Sequence, residues 1–289
     1  MDQFLITLIG GISDGAVYGL VGLGLVIIFR STDVMNFAIA TMALVASYVA
    51  LQLHVHGLAL VLALLVGVVI ASLMGVGVRE VLIRPLGEGR LFAALVVTMG
   101  ISIILENLAL NLWGAQPLSF PTLVEGTVEI GSWRLQDQRL LAIAVAAVAT
   151  AAIAYLFTRT PLGSAMRAVA ESSSTARVLG VDAQKIARIA WFLGLGLASI
   201  GVMLYAPQTG LTPTAMQVVV FRAFAGIFLG GLTSMTGAVV GGVIIGVLDN
   251  MGALYVSASF RDTFVFAIAV LVLLIRPQGL FGRPVFQRV

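Results

Sequence analysis

Few side chains in this sequence can carry charge or coordinate a ligand, and most of them interrupt long apolar runs. Asp14, Asn36, the adjacent Glu106 and Asn107, Arg222, and the adjacent Asp249 and Asn250 each fall within or at the end of such a run. Polar groups at membrane depth are costly, so they pair with one another or line a path for a polar solute. Two readings follow. The residues serve helix packing and the membrane interface, or Asn36, Glu106, Asn107, Arg222 and Asp249 line a translocation pathway. A proton-driven carrier commonly has several acids buried in mid-span. Glu106 and Asp249 sit toward the ends of their runs, which argues against an ion-driven engine inside the chain. Arg222, in VVVFRAFAG, is the sharpest of the set: it faces a pathway, or it pairs with an intramembrane acid or with helix C-terminal carbonyls.

Other chemistries lack their residues. His54 and His56 are the only histidines and there is no cysteine, so metal ligation has no further partners of that kind and the two rings are expected at the membrane surface. No GxxxxGK[ST] loop occurs and Lys185 is the only lysine, so this chain has no P-loop to cradle nucleotide phosphates. HExxH is absent as well, and the GxSxG string at Gly11–Gly15 lies inside the first apolar run. The expectation is a protein that is not an enzyme, with no metal and no cofactor of its own.

The elements that must position these residues are membrane spans. Hydrophobic residues make up 60% of the chain, charged residues 10%, and the mean hydropathy is +1.10. A soluble domain carries about 25% charged residues, so the chain reads as an integral membrane protein. Its charge-free runs are too long for the ~10-residue alternating strands of a barrel, which leaves the all-α kind. Phe4 to Phe29 is the first span. Met35 to Val78 holds no charge at all. As one helix it would extend about 66 Å, twice the ~30 Å apolar core of a bilayer, so it must be two spans with a turn near His54 to Gly57. Further spans are expected near 91–112, 140–158, 189–206, 216–232, 238–256 and 262–276. That makes about nine spans, eight to ten within the uncertainty of 216–232 and 262–276, either of which fits a half-helix. One membrane domain, 1–289, is expected.

The loops set the orientation. Arg30, the loop 79–90, the loop 159–188 and the tail with Arg276, Arg283 and Arg288 hold all the basic residues except Arg134, Arg139, Arg222 and Arg261. Short basic loops stay in the cytoplasm, so the N-terminus is expected outside and the C-terminus inside. The net charge of +3 is a topology signal and does not suggest nucleic acid. Residues 113–139, with Trp113, Trp133 and mixed charges, make the largest outer loop, with an extended piece at Thr127 to Leu135. Residues 159–188 are the longest polar run. Met166, Val169 and Ala170 recur there at helical spacing until Gly180, which predicts a short amphipathic helix beneath the membrane that another protein can grip. Gly15 with Gly19, Gly22 with Gly24, and the pairs Gly226/Gly230, Gly237/Gly241 and Gly242/Gly246 predict helix faces made for close approach.

Taken together, several stretches carry a family resemblance: TPLGSAMRAVAESSSTARVLGVDAQKI, YGLVGLGLVIIFRSTDVMNFA, VREVLIRPL, TMGISIILEN, GGLTSMTGAVVGGVIIG and RPQGLFGRP. In order and spacing the chain resembles the LivH-type permeases of ATP-binding-cassette importers for branched-chain amino acids. The resemblance implies the fold of the vitamin-B12-type importer membrane domains, in a bacterial inner membrane. It implies a LivM-like second permease, two cytoplasmic ATPase subunits that bind ATP and Mg, and a periplasmic substrate-binding protein. Residues 161–182 would then be the coupling segment, with Gly163, Arg167, Glu171 and Gly180 matching its motif. In one place the chain departs from the family. Asn36-Phe37-Ala38 is followed by Ile39-Ala40-Thr41 rather than by a polar triplet, which implies a more apolar lumen. A hydrophobic amino acid, an amide such as urea, or an aromatic acid each fits as solute. A self-contained secondary transporter is the rival from another class.

Overall fold

The computed structural model describes residues 2–87, 89–130, 133–257 and 260–282. Glu88, Arg283 and Arg288 lie outside the described residues. Helices α1 (Asp2–Thr32), α2 (Ile39–Val55), α3 (Leu60–Val78), α4 (Leu91–Trp113) and α5 (Asp137–Arg159) are followed by two short ones, α6 (Pro161–Glu171) and α7 (Ser173–Val178). The long α8 (Ala183–Thr209) then leads to α9 (Pro213–Gly230), α10 (Met235–Tyr255) and α11 (Arg261–Ile275). A π-helical turn at Arg79–Ile83 extends α3. The only sheet among the described residues is a hairpin before α5, with β1 (Thr127–Ile130) antiparallel to β2 (Trp133–Gln136) and Thr127 opposite Gln136.

Among the described residues six helices (α1, α3, α4, α5, α8 and α10) are long and apolar enough to cross a membrane, and the shorter α2 and the α9 stretch Ala215–Gly230 are also apolar. The expected turn at His54 to Gly57 is where α2 stops and α3 has yet to begin. The 216–232 run falls mostly in α9, a continuous helix of 18 residues from Pro213 to Gly230, about 27 Å long, with no break at Arg222. The 15 residues of α11 span about 22 Å, short of a full bilayer core.

Helix boundaries follow from local chemistry. Thr160, Ser172, Asp182, Thr212 and Ser234 each accept a hydrogen bond from a first-turn backbone N–H of the helix they precede, which satisfies donors that have no intrahelical partner. Pro161 and Pro213 open their helices, where the missing N–H is harmless. Gly210, at φ +73° between α8 and α9, takes a left-handed turn that a side chain would resist.

The most apolar window of α1 is 89% buried and that of α8 78%, against 17% for α4 and 22% for α5. The first span is therefore the axis of the bundle and α3, α4 and α5 are its outer wall. Glycine is the reason α1 can be so enclosed. A Cβ on Gly15 would stand 2.6 Å from the Cα of Val243, and one on Gly246 would stand 2.3 Å from the Cα of Gly15, so α1 and α10 touch backbone to backbone. The neighbouring stripe of α10, Gly237 and Gly241, meets Gly230 and Gly226 of α9 in the same way. Gly24 closes on Gly194 of α8. Without a hydrophobic force between helices in lipid, close approach of this kind supplies the dispersion contacts that hold a bundle together.

The polar run 159–188 differs from the single helix expected. Ser172 is extended, with φ −161°, and its hydroxyl accepts from the Thr175 N–H at 3.2 Å. The serine cluster offers the backbone a cap in place of another helical turn, so the segment breaks into α6 and α7. α8 starts earlier than the apolar run does, because Asp182 caps it.

Candidate translocation groove and coupling segment

α2, α4 and α9 enclose a cavity of about 200 Å³ on an open side of the bundle. Its polar lining is Thr41, Ser102, Glu106 and Gln217; Phe37, Met99, Ile103, Val220 and Phe221 complete the walls. Helical spacing brings these together. Ser102 is four residues before Glu106, and Gln217 three and four before Val220 and Phe221, so each set shares one face of its helix, while Phe37 joins Thr41 from the turn that leads into α2. Gln217 Nε2 donates to Glu106 Oε2 at 2.6 Å, and the Thr41 and Ser102 hydroxyls are 2.7 Å apart. The Phe37 ring stacks on Phe224 with centroids 4.8 Å apart, which holds the start of α2 against α9.

The five residues expected along a pathway separate into different surroundings. Glu106 lines the groove. Asn36 is buried beside it in sequence: its Oδ1 accepts from the Ala38 N–H at 2.9 Å, shaping the turn into α2, while its Nδ2 has no hydrogen-bond partner among the described residues. Asn107 is about 100° round α4 from Glu106 and donates to the Ile103 carbonyl of its own helix at 2.8 Å.

Arg222 and Asp249 belong to a second constellation. Arg222 is 5% exposed and Asp249 0%, and they are ion-paired at 3.2 Å. Arg222 also reaches Asp262 at 2.8 Å and donates to the Tyr18 hydroxyl at 3.1 Å. Arg261 closes the cluster as a second ion-pair partner of Asp249. Asn250 donates to Asp14 at 2.9 Å. Arg222 lies about 140° round α9 from Gln217, so α9 stands between the groove and this cluster.

Sequence reasoning named Glu106 but missed Gln217, Thr41 and Ser102 as groove residues. A glutamine inside an apolar helix was a legible signal. The two small hydroxyl residues were not, since such residues are common at packed membrane interfaces. Tyr18, Arg261 and Asp262 were missed in the ion cluster because they sit in a glycine-rich face or near span ends.

At the basic end, α6 rests on α1, α5 and α8 through Gly163, Met166 and Val169. A Cβ on Gly163 would lie 2.2 Å from the Leu156 carbonyl. The opposite face is exposed and carries Arg167 and Glu171, with Arg167 3.1 Å from the Ser164 hydroxyl. α7 ends in Val178 and Leu179, 87% and 75% exposed, just before Gly180 at φ +84°. Asp182 accepts from the Gln184 and Lys185 N–H groups at 3.0 Å each, and these backbone bonds, that of Lys185 foremost, hold its carboxyl below the usual range. Arg79 hydrogen-bonds Gln184, which ties the end of α3 to the start of α8. At the other end His54 and His56 each bond a backbone carbonyl of the α2–α3 turn region, at 3.0 and 2.7 Å.

Residues 7–274 match the family described as the branched-chain amino acid transport system permease component. The chain belongs to this family. It is 28% identical over 301 residues to the high-affinity branched-chain amino acid transport system permease protein LivH of Escherichia coli, covering 99% of this chain and 98% of that one. BraD of Pseudomonas aeruginosa, a permease protein of the same description, is 27% identical over 302 residues, with 99% and 98% covered. A probable LivH of Methanocaldococcus jannaschii is 26% identical over 279 residues, with 91% and 88% covered. In fold, this permease is similar to PsaBC from Streptococcus pneumoniae in complex with Fab, at TM-score 0.50 and 16% identity over 94% of this chain and 91% of that one. The expected LivH-type, all-α, multi-pass membrane permease is thereby established.

Proposed function

We propose that this chain is the translocation subunit of an ATP-binding-cassette importer that carries a branched-chain or other hydrophobic amino acid inward. The observation that carries this reading is the groove of Glu106 and Gln217, open along one side of an apolar bundle. A carboxylate about one turn from the middle of α4 is costly against lipid, so a second membrane subunit covers the groove and completes a path between the two. That subunit is a LivM-like permease or a second copy of this chain. A periplasmic binding protein delivers solute at the hairpin end, on the long connection between α4 and α5. Two ATPase subunits act at the basic end. The chain has no phosphate-binding loop of its own, and α6 and α7 offer exposed Arg167, Glu171, Val178 and Leu179 for a partner to hold. Closure of the ATPases shifts α6 and α7, and the glycine seams let the spans tilt so that access alternates.

The orientation follows from the basic loops, with the N-terminus outside and the C-terminus in the cytoplasm. The experiment is purification from native membranes followed by reconstitution. ATPase subunits should co-purify, and uptake should require ATP and loaded binding protein. Gradient-driven solute movement by this chain alone would sink the importer reading in favour of a secondary transporter.

A further inference from the structure

Among the described residues the groove lining holds one carboxylate and no basic residue. Glu106 Oε2 is engaged by Gln217, a neutral donor, so the negative charge of Glu106 is not balanced from within the groove. Thr41 and Ser102 bond each other; two hydroxyls in one bond leave one O–H free to donate. The remaining walls are apolar and aromatic. An apolar cavity of ~150 Å³ holds a benzene molecule, so about 200 Å³ has room for a single amino acid. From this arrangement we infer that Glu106 is the specificity-determining residue that receives the ammonium group of the solute, with Gln217 orienting it. The free hydroxyl of the Thr41–Ser102 pair meets the solute carboxylate, and Phe37, Ile103 and Val220 take the hydrocarbon. The groove thus selects a compact primary ammonium with an apolar side chain and disfavours urea, which has no charge to offer. The inference rests on the permease reading above and adds the identity of the recognising group.

The absence of cysteine makes a direct test possible. Met99→Cys places one thiol at the groove wall, and the complex purified with its native partners is labelled with a maleimide and read on this chain. L-leucine and 3-methylbutylamine should protect the thiol, while 4-methylpentanoate, which lacks the ammonium, should need at least tenfold higher concentration. Adding Glu106→Gln should raise the half-protecting concentration of both amines at least tenfold, and Glu106→Asp should restore most of it. Unchanged protection in Glu106→Gln, or equal protection by 4-methylpentanoate, overturns the role of Glu106 while leaving the groove as the path. No protection by any of the three in the parent thiol variant, with ATP-driven uptake intact, removes the groove from the path and both ideas fall.

Discussion

The guanidinium of Arg222, midway along α9, lies 3.2 Å from the carboxylate of Asp249 on α10, and neither side chain meets solvent to any extent. With Arg261, Asp262 and Tyr18 the pair joins α1, α9, α10 and α11, and Asp262, 62% exposed, marks the solvent side of the cluster. Removing one member of a buried pair costs about 3–5 kcal/mol when it leaves a lone charge; here Arg261 still pairs with Asp249 and Asp262 with Arg222, which offsets part of that cost. Asp249→Asn and Arg222→Met should therefore each lower the thermal stability of the purified complex by less than that full penalty. The double variant should lose less than the sum of the two, and strict additivity in a thermal-shift series would show that the pair is not coupled.

The α1–α10 seam makes a steric prediction. Gly15→Val or Gly246→Val inserts atoms where backbone already stands, and overpacking of this kind costs about 1–3 kcal/mol or more. Both variants should reduce recovery of assembled permease, measured by size-exclusion chromatography. Gly100→Val is the control, because a Cβ there meets nothing within 4 Å; equal losses at all three positions would point away from the seam.

Coupling is tested on the exposed face of α6. Arg167→Ala and Glu171→Ala leave the buried side of the helix untouched, so binding-protein affinity should persist while uptake per ATP hydrolysed drops by about tenfold, ~1.4 kcal/mol of coupling. Normal transport by both would refute the assignment.

The tip of α7 probes the docking itself. Asp in place of Val178 and Leu179 together should abolish co-purification of the ATPases without altering the stability of the permease, since neither side chain packs inside it.

Asp182 carries a pH prediction. Its folded-state value lies below the usual carboxylate range because two backbone N–H groups hydrogen-bond the ionised form. The stabilisation is thus present above the ordinary carboxylate pKa of about 3.9 and is lost as pH falls through the lowered folded value. Hydrogen exchange in the first turn of α8 should speed up across that acid range in the parent protein. In Asp182→Asn, which caps without titrating, the same amides should show no such step beyond the intrinsic pH dependence of exchange.

The division of α2 from α3 and the glycine faces were legible in the sequence because they depend on run length and on neighbours within a few residues. Run length against bilayer thickness separates α2 from α3, and Gly15 and Gly19 lie on one face by the helical period alone, whereas the Asp182 cap that starts α8 at Ala183 was not read. The Ser172 break was legible in principle but was outweighed by the apolar spacing on either side.

The site was another matter. Nothing local distinguishes Gln217, which faces a groove, from Arg222, which faces the ion cluster, because both are single polar residues in one apolar helix. Sequence by itself determined that a permease-like membrane bundle forms and that a basic polar segment interrupts it between α5 and α8. Only the tertiary structure decided that Glu106 meets Gln217 while Arg222 meets Asp249. Those pairings depend on how α4, α9 and α10 are rotated about their axes: the glycine stripes set the rotation of α9 and α10, and the Thr41–Ser102 contact with α2 fixes that of α4.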